Sequence, residues 1–402
     1  MRYQPIAAAI TTLALLGAGA VSATAASWDD EGANDDVTTV ENWVGNVLPS
    51  FPPAEAFDFS IAGDSANQNG GDGYAMDGIT FGRDFTIRGQ RILLNGDVTV
   101  TGPYQVGISV PVDLNALGAV EWDVFLGATV TMDDVLNIEG NNYLSINTHG
   151  LVHFAPGGAI NGDAGSNVIQ DGDGLVVLAG GGNVTRYDML DGTLHSASVM
   201  PNVAVGLLGG FLSGGSATNV LGNEQLVASV DLDNNSRLTP GPDVLGATLG
   251  IFHSSGPVTG NPNATYIVNY DGTSSDLVVT QGVFSADGMQ LGLIPGATPP
   301  VGTEFVIVDA AGGPEPGSYF SNDGETLTDD EVFFADPGYF RIEYRTTDIV
   351  LVYLGETAPT QAPSPAPALP ATGLEQNTAL IAAALLALLA GAAIVTRRRR
   401  TN

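Results

Sequence analysis

The sequence predicts an all-β protein whose body, residues 26–355, is a β-solenoid, a coil of stacked turns. The chain has 53 glycines, many short apolar β-forming runs and almost no helical periodicity. Clusters of Gly, Asn, Asp and Pro, typical of turns, separate the runs. The strand-like runs are Arg91–Val100, Leu175–Ala179, Thr265–Tyr270, Leu277–Thr280, Glu304–Asp309, Tyr339–Tyr344 and Ile349–Leu354.

A weak internal repeat favours a solenoid over the alternative architecture, a set of β-sandwich domains. Gly174, Gly192 and Gly210 each precede an apolar run and are 18 residues apart. Pro156-Gly157-Gly158 resembles a degenerate earlier copy. A unit of one turn and one strand cannot bury its own apolar face, so it needs neighbours on both sides. At roughly 22 residues and about 4.8 Å per turn, the body would form about 15 turns.

Both ends of a solenoid expose unpaired strand edges and therefore need caps. We expect Trp28 and Trp43 to cap one end, and the aromatic-rich segment 301–354 to cap the C-terminal end. The alternative role for these aromatic residues is sugar binding.

A second pattern lies near the C-terminus. An Ala/Pro/Thr-rich stretch at 356–368 predicts an extended spacer. It leads into the pentapeptide LPATG and then into 374–402, which contains an apolar run at 379–395 and a basic end. About 17 apolar residues would form roughly 25 Å of helix, enough for a membrane span. The terminal arginines place the body outside the cell by the positive-inside rule. The pentapeptide residues are Leu369, Pro370, Ala371, Thr372 and Gly373, and the arginines are Arg397, Arg398, Arg399 and Arg400.

In this order, the pentapeptide, the apolar run and the basic end resemble the cell-wall sorting signal of Gram-positive surface proteins, whose LPxTG motif is cut by a sortase. The resemblance implies cleavage between Thr372 and Gly373 and a covalent bond from Thr372 to peptidoglycan. Sortase and peptidoglycan are thus the implied partners, and 374–402 would hold the protein in the membrane only before sorting. The alternative is a plain C-terminal membrane anchor.

The N-terminal residues 1–25 predict a secretory signal peptide. Arg2 precedes an apolar stretch, Ile6 to Val21, and Ala23-Thr24-Ala25 forms an A-x-A cleavage site. Cleavage between Ala25 and Ala26 would release the body outside the cell. A permanent N-terminal membrane span is the alternative.

The charge of the body restricts its partners. Between the two predicted cleavage sites, the chain keeps 7 of its 12 basic and 43 of its 44 acidic residues, a net charge of −36. Nucleic acids and anionic lipids need Lys or Arg for neutralisation, so we expect neither as a partner. Cations, including calcium, are favoured instead.

Two residue types are missing from the chain. Lysine is absent, which excludes polymerised pilins and isopeptide-stapled adhesins, because both need a lysine amine. Cysteine is also absent, so stability outside the cell must come from burial and backbone pairing rather than from disulfides.

The body is also similar to a second family, bacterial surface passengers built on autotransporter-associated β-strand repeats. Ser27-Trp28-Asp29 and Glu41-Asn42-Trp43 resemble the opening of such passengers, and Gly172–Gly180 with Asp191–Leu194 resembles their repeat. The segments 302–309, 317–320, 340–344 and 348–351 resemble their closing part. The likeness implies a right-handed parallel β-helix and no particular enzyme. The chain departs from the family at its end, where a sorting signal stands in place of an outer-membrane barrel.

Candidate chemistry is sparse. Asn147-Thr148-His149-Gly150 superficially resembles the Asn-Thr-Asp-Gly motif of polygalacturonases, and Asp133-Asp134 their paired aspartates, but His149 stands where the catalytic aspartate would be. Glycoside hydrolysis needs two carboxylates at a defined separation, and the sequence nominates no such pair. We therefore predict no catalytic residues and no enzymatic activity.

One weak metal candidate is present. Asp231, Asp233 and Asn235 form a D-x-D-x-N run like the start of a calcium loop. Ser236 replaces the glycine of an EF-hand, so an acidic turn is the alternative. We expect no cofactor apart from a possible structural calcium ion.

The sequence therefore predicts a secreted, wall-anchored β-solenoid, an adhesin or coat component that binds a host or environmental glycan or matrix protein. Two alternatives stay open. One is a β-helix polysaccharide lyase or glycoside hydrolase, and the other is a purely structural surface layer or stalk.

Overall fold

The computed structural model describes residues 26–32, 35–37, 39–44, 56–68, 74–115, 119–140, 142–196, 200, 202–214, 227–233, 235–241 and 249–358. These residues form strands, turns and one short 3₁₀ helix, Val40–Asn42. No helix in these ranges has the length and hydropathy of a membrane span. The predicted signal peptide, sorting pentapeptide and stop-transfer segment lie outside the described residues.

The strands follow one another in short steps along the chain. From the N-terminus they are β1 Ala26–Ser27, β2 Phe57–Phe59, β3 Ser65–Gln68, β4 Tyr74–Met76, β5 Ile79–Phe81, β6 Phe85–Gly89, β7 Ile92–Leu94, β8 Val98–Val100, β9 Gln105–Ser109, β10 Val112–Leu114, β11 Ala119–Val124, β12 Thr129–Met132 and β13 Leu136–Ile138. The middle strands are β14 Tyr143–Thr148, β15 Leu151–Phe154, β16 Ile160–Gly162, β17 Asn167–Asp171, β18 Leu175–Leu178, β19 Gly182–Asn183, β20 Arg186–Met189, β21 Thr193–Ser196, β22 Ala204–Leu207, β23 Phe211–Gly214, β24 Ser229–Leu232 and β25 Arg237–Pro240. The last are β26 Ile251–Ser254, β27 Val258–Thr259, β28 Thr265–Tyr270, β29 Leu277–Thr280, β30 Phe284–Ser285, β31 Gln290–Pro295, β32 Glu304–Ala310, β33 Ser321–Asn322, β34 Glu325–Thr326, β35 Val332–Ala335, β36 Gly338–Tyr344 and β37 Asp348–Gly355.

These strands build a three-sided β-solenoid. The first side is a 12-stranded sheet in the order β1-β2-β5-β8-β11-β14-β17-β20-β22-β24-β27-β30. The second side, β3-β6-β9-β12-β15-β18-β21-β23-β25-β28-β31-β33-β34, has 13 strands. The third side has six strands, β4-β7-β10-β13-β16-β19, and β26-β29-β32 take the same place in the later turns. Because neighbours come from successive turns, they pair in parallel, as the solenoid prediction requires. The exception on these three sides is the terminal pair β33 and β34, which is antiparallel.

The glycine repeat of the sequence marks two consecutive turns. β18 pairs with β21 and β21 with β23 in a register that places Leu175, Thr193 and Phe211 beside one another. The earlier turns are longer, because Leu151 lies opposite Leu175. The equivalent of Gly174 one turn earlier is therefore Gly150. Pro156-Gly157-Gly158, expected as a degenerate copy, instead precedes β16 on the third side, and that expectation was wrong.

The core is a set of apolar columns inside the coil. Side chains alternate along each strand, and the inward ones stack on their equivalents one turn away, about 4.8 Å apart. One column of the second side consists of Val106, Val130, Val152, Val176, Leu194 and Leu212, all at most 2 % exposed. Each turn thus buries its apolar face only against its neighbours, which explains why an isolated turn would not fold.

Aromatic side chains close the N-terminal end of the coil. Trp28 and Trp43 are 0 % and 1 % exposed, and their rings meet edge to face at 5.1 Å. Trp43 also packs on Phe57 at 4.9 Å and donates its Nε1–H to the carbonyl of Val37 at 3.0 Å. The burial of both indoles leaves no ring face of Trp28 or Trp43 for a sugar.

The segment 301–354 changes the pairing mode at the other end. β32 pairs in parallel with β29 on one edge and antiparallel with β37 on the other. β36 and β35 then continue the sheet in antiparallel fashion. These hairpins bury Phe340, Ile342 and Leu351. They take this part of the body out of the coil, so the coil has fewer turns than the roughly 15 expected.

Most of the predicted strands are present with small changes of boundary. The runs 265–270 and 277–280 match β28 and β29 in full. The run Arg91–Val100, predicted as one strand, is two strands on different sides, β7 and β8. A corner at Asn95-Gly96-Asp97 separates them, and a Cβ on Gly96 would lie 1.6 Å from the carbonyl oxygen of Asp77. The packing of the corner against the preceding turn therefore requires glycine there.

Replacing Gly192 by alanine is expected to destabilise the coil more than the same change at Gly302. Both glycines have a positive φ, +81° and +87°, so alanine strains the backbone at either position. A Cβ on Gly192 would also lie 2.5 Å from the carbonyl oxygen of Gly172, whereas one on Gly302 meets nothing within 4 Å. We expect an extra loss of about 1–3 kcal/mol for Gly192→Ala in urea unfolding. Equal losses would contradict this packing argument.

A buried carboxylate in the later turns couples stability to pH. Asp276 is 0 % exposed; its Oδ1 accepts the Gly250 amide at 2.8 Å, and its Oδ2 accepts the Asn269 backbone amide at 2.9 Å and side-chain amide at 2.6 Å. Burial raises the pKa of Asp276 to about 6, and these hydrogen bonds offset the increase only in part. The folded protein therefore binds this proton more tightly than the unfolded chain, in which the pKa is about 3.9.

We expect the free energy of unfolding to fall as pH rises from about 4 to about 7, because Asp276 loses its proton in the folded state near pH 6. The contribution of this residue is about 2–3 kcal/mol. Asp276→Asn should flatten the pH dependence in this window, measured as Tm against pH. Asp323→Asn, at an exposed position, is the control and should leave the slope unchanged. A wild-type slope in Asp276→Asn would contradict the assignment.

Candidate ligand-binding groove

A polar groove runs along the third side of the coil in its first half. The strands there have three residues or fewer, and the middle residue of most faces outward. Parallel register aligns these outward residues in one column from turn to turn. The groove has a volume of about 370 Å³, and its polar lining is Arg91, Asp113, Asn137, Glu139, Asn161, Asp163 and Asn183.

Asp113 anchors one end of the groove. It is 3 % exposed, and its two oxygens accept hydrogen bonds from Arg91 Nη1 at 3.1 Å and Asn137 Nδ2 at 2.6 Å. The three residues come from consecutive turns, so the ladder joins β10 to both of its neighbours. At the other end, Asn183 Oδ1 accepts a hydrogen bond from Asn202 Nδ2 at 2.9 Å.

The middle of the groove has polar side-chain groups that are not used in hydrogen bonds with described residues. The side chain of Asn161 and the carboxylate of Glu139 make no hydrogen bond with any described residue, although Asn161 is half-buried and Glu139 is exposed. The carboxylate of Asp163 accepts one hydrogen bond from the described residues, from the Gly140 amide to Oδ2 at 3.3 Å. Amides donate and accept while carboxylates accept, and successive turns repeat these groups about every 4.8 Å. Such a row matches the hydroxyl groups of an extended polyhydroxylated chain.

Sequence reasoning missed this groove because no contiguous motif encodes it. Asp113, Asn137 and Asn161 are 24 residues apart at each step, and only the strand register brings them together. The one available signal was the recurrence of Asp or Asn in the middle of Val-Asp-Leu, Leu-Asn-Ile and Ile-Asn-Gly at that spacing.

The first side carries a strip of acidic residues, Asp97, Glu121, Asp123 and Asp171. Asn147 lies in this strip on β14, between Asp123 on one neighbouring strand and Asp171 on the other. Glu121 accompanies Asp123 on β11, and its backbone amide donates to Asp97 Oδ1 at 2.8 Å. Partial burial raises the pKa of Glu121, and the negative charges of Asp97 and Asp123 raise it further. A carboxyl group with a raised pKa beside other carboxylates is one feature that general acids share. The sequence alone nominated no such pair.

The structure separates the motif that resembles polygalacturonases. Asn147 lies on β14, where its Nδ2 is 3.5 Å from Asp123 Oδ1. His149 lies in the corner after this strand, and its Nδ1 is 2.7 Å from Asp173 Oδ1. The hydrogen bond with His149 lowers the pKa of Asp173. Asp133 follows β12 between the second and third sides, where its Oδ2 accepts a hydrogen bond from Ser109 Oγ at 2.8 Å.

The three calcium candidates all bond to the next turn of the coil. Asp231 Oδ1 accepts a hydrogen bond from Thr259 Oγ1 at 2.9 Å, and Asp233 accepts one from Asn261 Nδ2. Asn235 has a φ of 61° and donates its backbone amide to Asn263. Within the described ranges, no group of three or more acidic or histidine side chains is arranged to hold a metal ion. A structural calcium ion therefore stays an untested prediction.

The comparisons with known proteins concern the C-terminal region. Residues 361–402 match the family model of the LPXTG cell wall anchor motif. The protein is a secreted, sortase-anchored cell-wall protein. The match spans the predicted LPATG pentapeptide, the apolar run and the terminal arginines, and it implies sortase processing and covalent attachment to peptidoglycan. No curated protein and no solved structure matches the chain.

Proposed function

We propose that this cell-wall protein is an adhesin whose third side binds a neutral, hydroxyl-rich polysaccharide. The groove of aligned amides and carboxylates, with Asn161 at its centre, carries the proposal. Anchoring supports it, because a coil attached at its C-terminal side presents its sides to the surroundings of the cell. The likeness to autotransporter-associated passengers, which are also surface proteins, is consistent with this proposal. That likeness and the right-handed coil that it implies remain predictions.

The charge of the groove favours an uncharged ligand. Glu139 and Asp163 are carboxylates, and Arg91 is already paired with Asp113. An anionic polymer would meet these carboxylates, and the described lining has no basic residue besides the paired Arg91 to compensate for them. Nucleic acid is therefore disfavoured. Sugar hydroxyl groups can donate to the carboxylates and can both donate to and accept from the amides.

The affinity of one copy is expected to be low. Ligand sites usually combine a few polar groups with a large apolar lining, whereas this groove is mostly polar. Many copies of the protein on one cell wall would compensate for this low affinity. After one copy has bound a polysaccharide chain, binding of the same chain by further copies is effectively intramolecular. Adhesion by an array of weak sites is therefore the mode that this groove supports.

Asn161→Ala combined with Glu139→Gln is expected to weaken the retention of a neutral polysaccharide by on the order of tenfold, since each lost hydrogen bond costs about 0.5–1.5 kcal/mol. Retention is measured on cells that display the full chain. Asn167→Ala is the matched control, because Asn167 is also a half-buried, outward-facing amide but lies on the first side. Equal losses in the two variants, or none in either, would contradict the assignment to the groove.

A second candidate function is polysaccharide hydrolysis on the first side, which the raised pKa of Glu121 favours. The same cells would then release sugar fragments, and Glu121→Gln would abolish the release while retention in the groove persists. A purely structural stalk would give neither retention nor release.

A further inference from the structure

We propose a second binding site, for a carboxylated saccharide, in a cleft at the corner between the first and second sides. This corner lies opposite the third side, so the site is separate from the groove and does not depend on it. The cleft has a volume of about 520 Å³. The side chains that the proposal uses are Asp173, Leu190, Asp191, Leu208, Phe211 and Arg237.

Glycines at this corner explain why a cleft forms there. Three residues link β20 to β21 and β22 to β23, and four link β24 to β25. In the first two of these corners, Gly192 and Gly209-Gly210 have no side chains next to the second side. The side chains of Asp173 and Arg237, from the turns on either side, therefore stand beside a floor of backbone.

Arg237 is the one basic residue in the described lining of this cleft. It lies beside Phe211 on the neighbouring strand, and its Cζ is 4.6 Å from the centre of the phenyl ring. Stacking on an aromatic face holds the planar guanidinium in one orientation and leaves its N–H donors at the rim. Fixed donors of this kind suit a carboxylate, which can accept two parallel hydrogen bonds.

The guanidinium of Arg237 has no acidic partner among the described residues. By contrast, four other arginines form ion pairs with Asp or Glu: Arg91, Arg186, Arg341 and Arg345. The body, residues 26–355, contains 42 acidic residues, and more than half of its arginines have one as a partner. A ligand carboxylate would supply the acceptor that the protein does not provide.

The other side chains that line the cleft determine which kind of molecule can carry the carboxylate. Asp173 and Asp191 each use one carboxylate oxygen, on His149 and on the Gly192 amide; the other oxygen of each has no described partner. Leu208 is 49 % exposed, and Leu190 lies beside it as an apolar surface. Hydroxyl groups can donate to the aspartates, while the C–H face of a sugar ring can cover the leucines.

This combination excludes simpler ligands. A small inorganic anion would gain Arg237 but meet the repulsion of both aspartates without compensation. A neutral sugar would offer Arg237 hydroxyl acceptors, but no negative charge and no carboxylate that accepts two parallel N–H bonds. A sugar that carries both a carboxylate and hydroxyl groups uses the whole lining, and either a uronic acid or a sialic acid supplies that chemistry.

The test uses the full chain displayed on a Gram-positive host through its own sorting signal, at antibody-matched surface levels. The probes are an oligogalacturonide, a sialylated oligosaccharide and the carboxyl-reduced form of each. We expect retention of at least one carboxylated probe and at least tenfold less of its reduced form. Preference for the oligogalacturonide or for the sialylated probe identifies the source of the carboxylate. Equal retention of charged and reduced forms, or retention of neither, would overturn the proposal.

Arg237→Met should reduce retention of the carboxylated probe at least tenfold, because methionine keeps an apolar contact with Phe211 but has no donor. Arg88→Met is the matched control, since Arg88 is an exposed arginine of the same side without an ion pair in the described part of the chain. The double variant in the groove, Asn161→Ala with Glu139→Gln, should retain this probe fully. Loss in both arginine variants, or in neither, would contradict the assignment to the cleft, whatever the outcome for the groove.

Discussion

Thr372→Ala is expected to abolish covalent attachment of the protein to peptidoglycan. In the sorting reaction that the anchor motif implies, the bond between Thr372 and Gly373 is cut and the acyl group of Thr372 passes to an amine of the wall. Alanine removes the side chain that marks this position of the LPATG pentapeptide. The variant should stay in the membrane or enter the medium, a loss of attachment of at least tenfold.

The measurement compares protein released from washed walls by a muramidase with protein extracted from membranes by detergent. Wild-type protein should appear in the muramidase fraction, linked to wall fragments. Thr360→Ala is the control, since Thr360 lies in the spacer only twelve residues away and should leave sorting intact. Wall-linked protein in Thr372→Ala at the wild-type level would refute attachment through this residue.

Trp43→Ala is expected to destabilise the N-terminal turns by about 3–5 kcal/mol, as for other fully buried large aromatic residues. The indole is 1 % exposed and packs against Trp28 and Phe57. Its removal leaves a cavity and also leaves the carbonyl of Val37 without its Nε1–H donor. Because each turn contacts only its neighbours, the damage should decline along the coil.

Hydrogen exchange resolved along the chain measures this effect. In Trp43→Ala, amides of β2, β5 and β8 should lose protection, whereas those of β28 and β29 should not. Trp122→Ala is the matched control, because Trp122 is equally buried and stacks on Phe154 at 6.2 Å in the middle of the coil. Its loss of protection should centre on β11 and β14. Uniform loss along the chain in both variants would show that the coil unfolds as one unit and contradict the nearest-neighbour account.

The sequence predicts the class of fold because both of its signals are local. The spacing of Gly174, Gly192 and Gly210 corresponds to two turns of the coil, and the alternating apolar runs become strands. The length of the other turns could not be predicted, since Gly150 marks the same corner at a different spacing. The corner within 91–100 was missed although Asn95-Gly96-Asp97 is a turn sequence, because the apolar residues on both sides suggested one strand.

The candidate sites could be predicted much less well. The anchor motif is contiguous, so the sequence identifies it without a structure. The groove residue Asn161 and the stacked pair of Phe211 and Arg237 acquire their neighbours only through register between turns of unequal length. A change of one residue in a single turn would point these side chains into the core. Composition therefore predicts which classes of partner are disfavoured, such as nucleic acids. Only the fold shows which side chains contact one another in a site.

One measurement tests the central claim, adhesion through the sides of a wall-anchored coil, most directly. Cells that display the full chain are incubated with an array of neutral and acidic polysaccharides and matrix proteins, and both retention and released sugar fragments are recorded. We predict retention of a polysaccharide without release, lost on muramidase treatment that strips the protein from the wall. Two results would contradict the account. One is the release of sugar fragments as fast as the retained polysaccharide disappears, and the other is that the wild-type chain retains no polysaccharide.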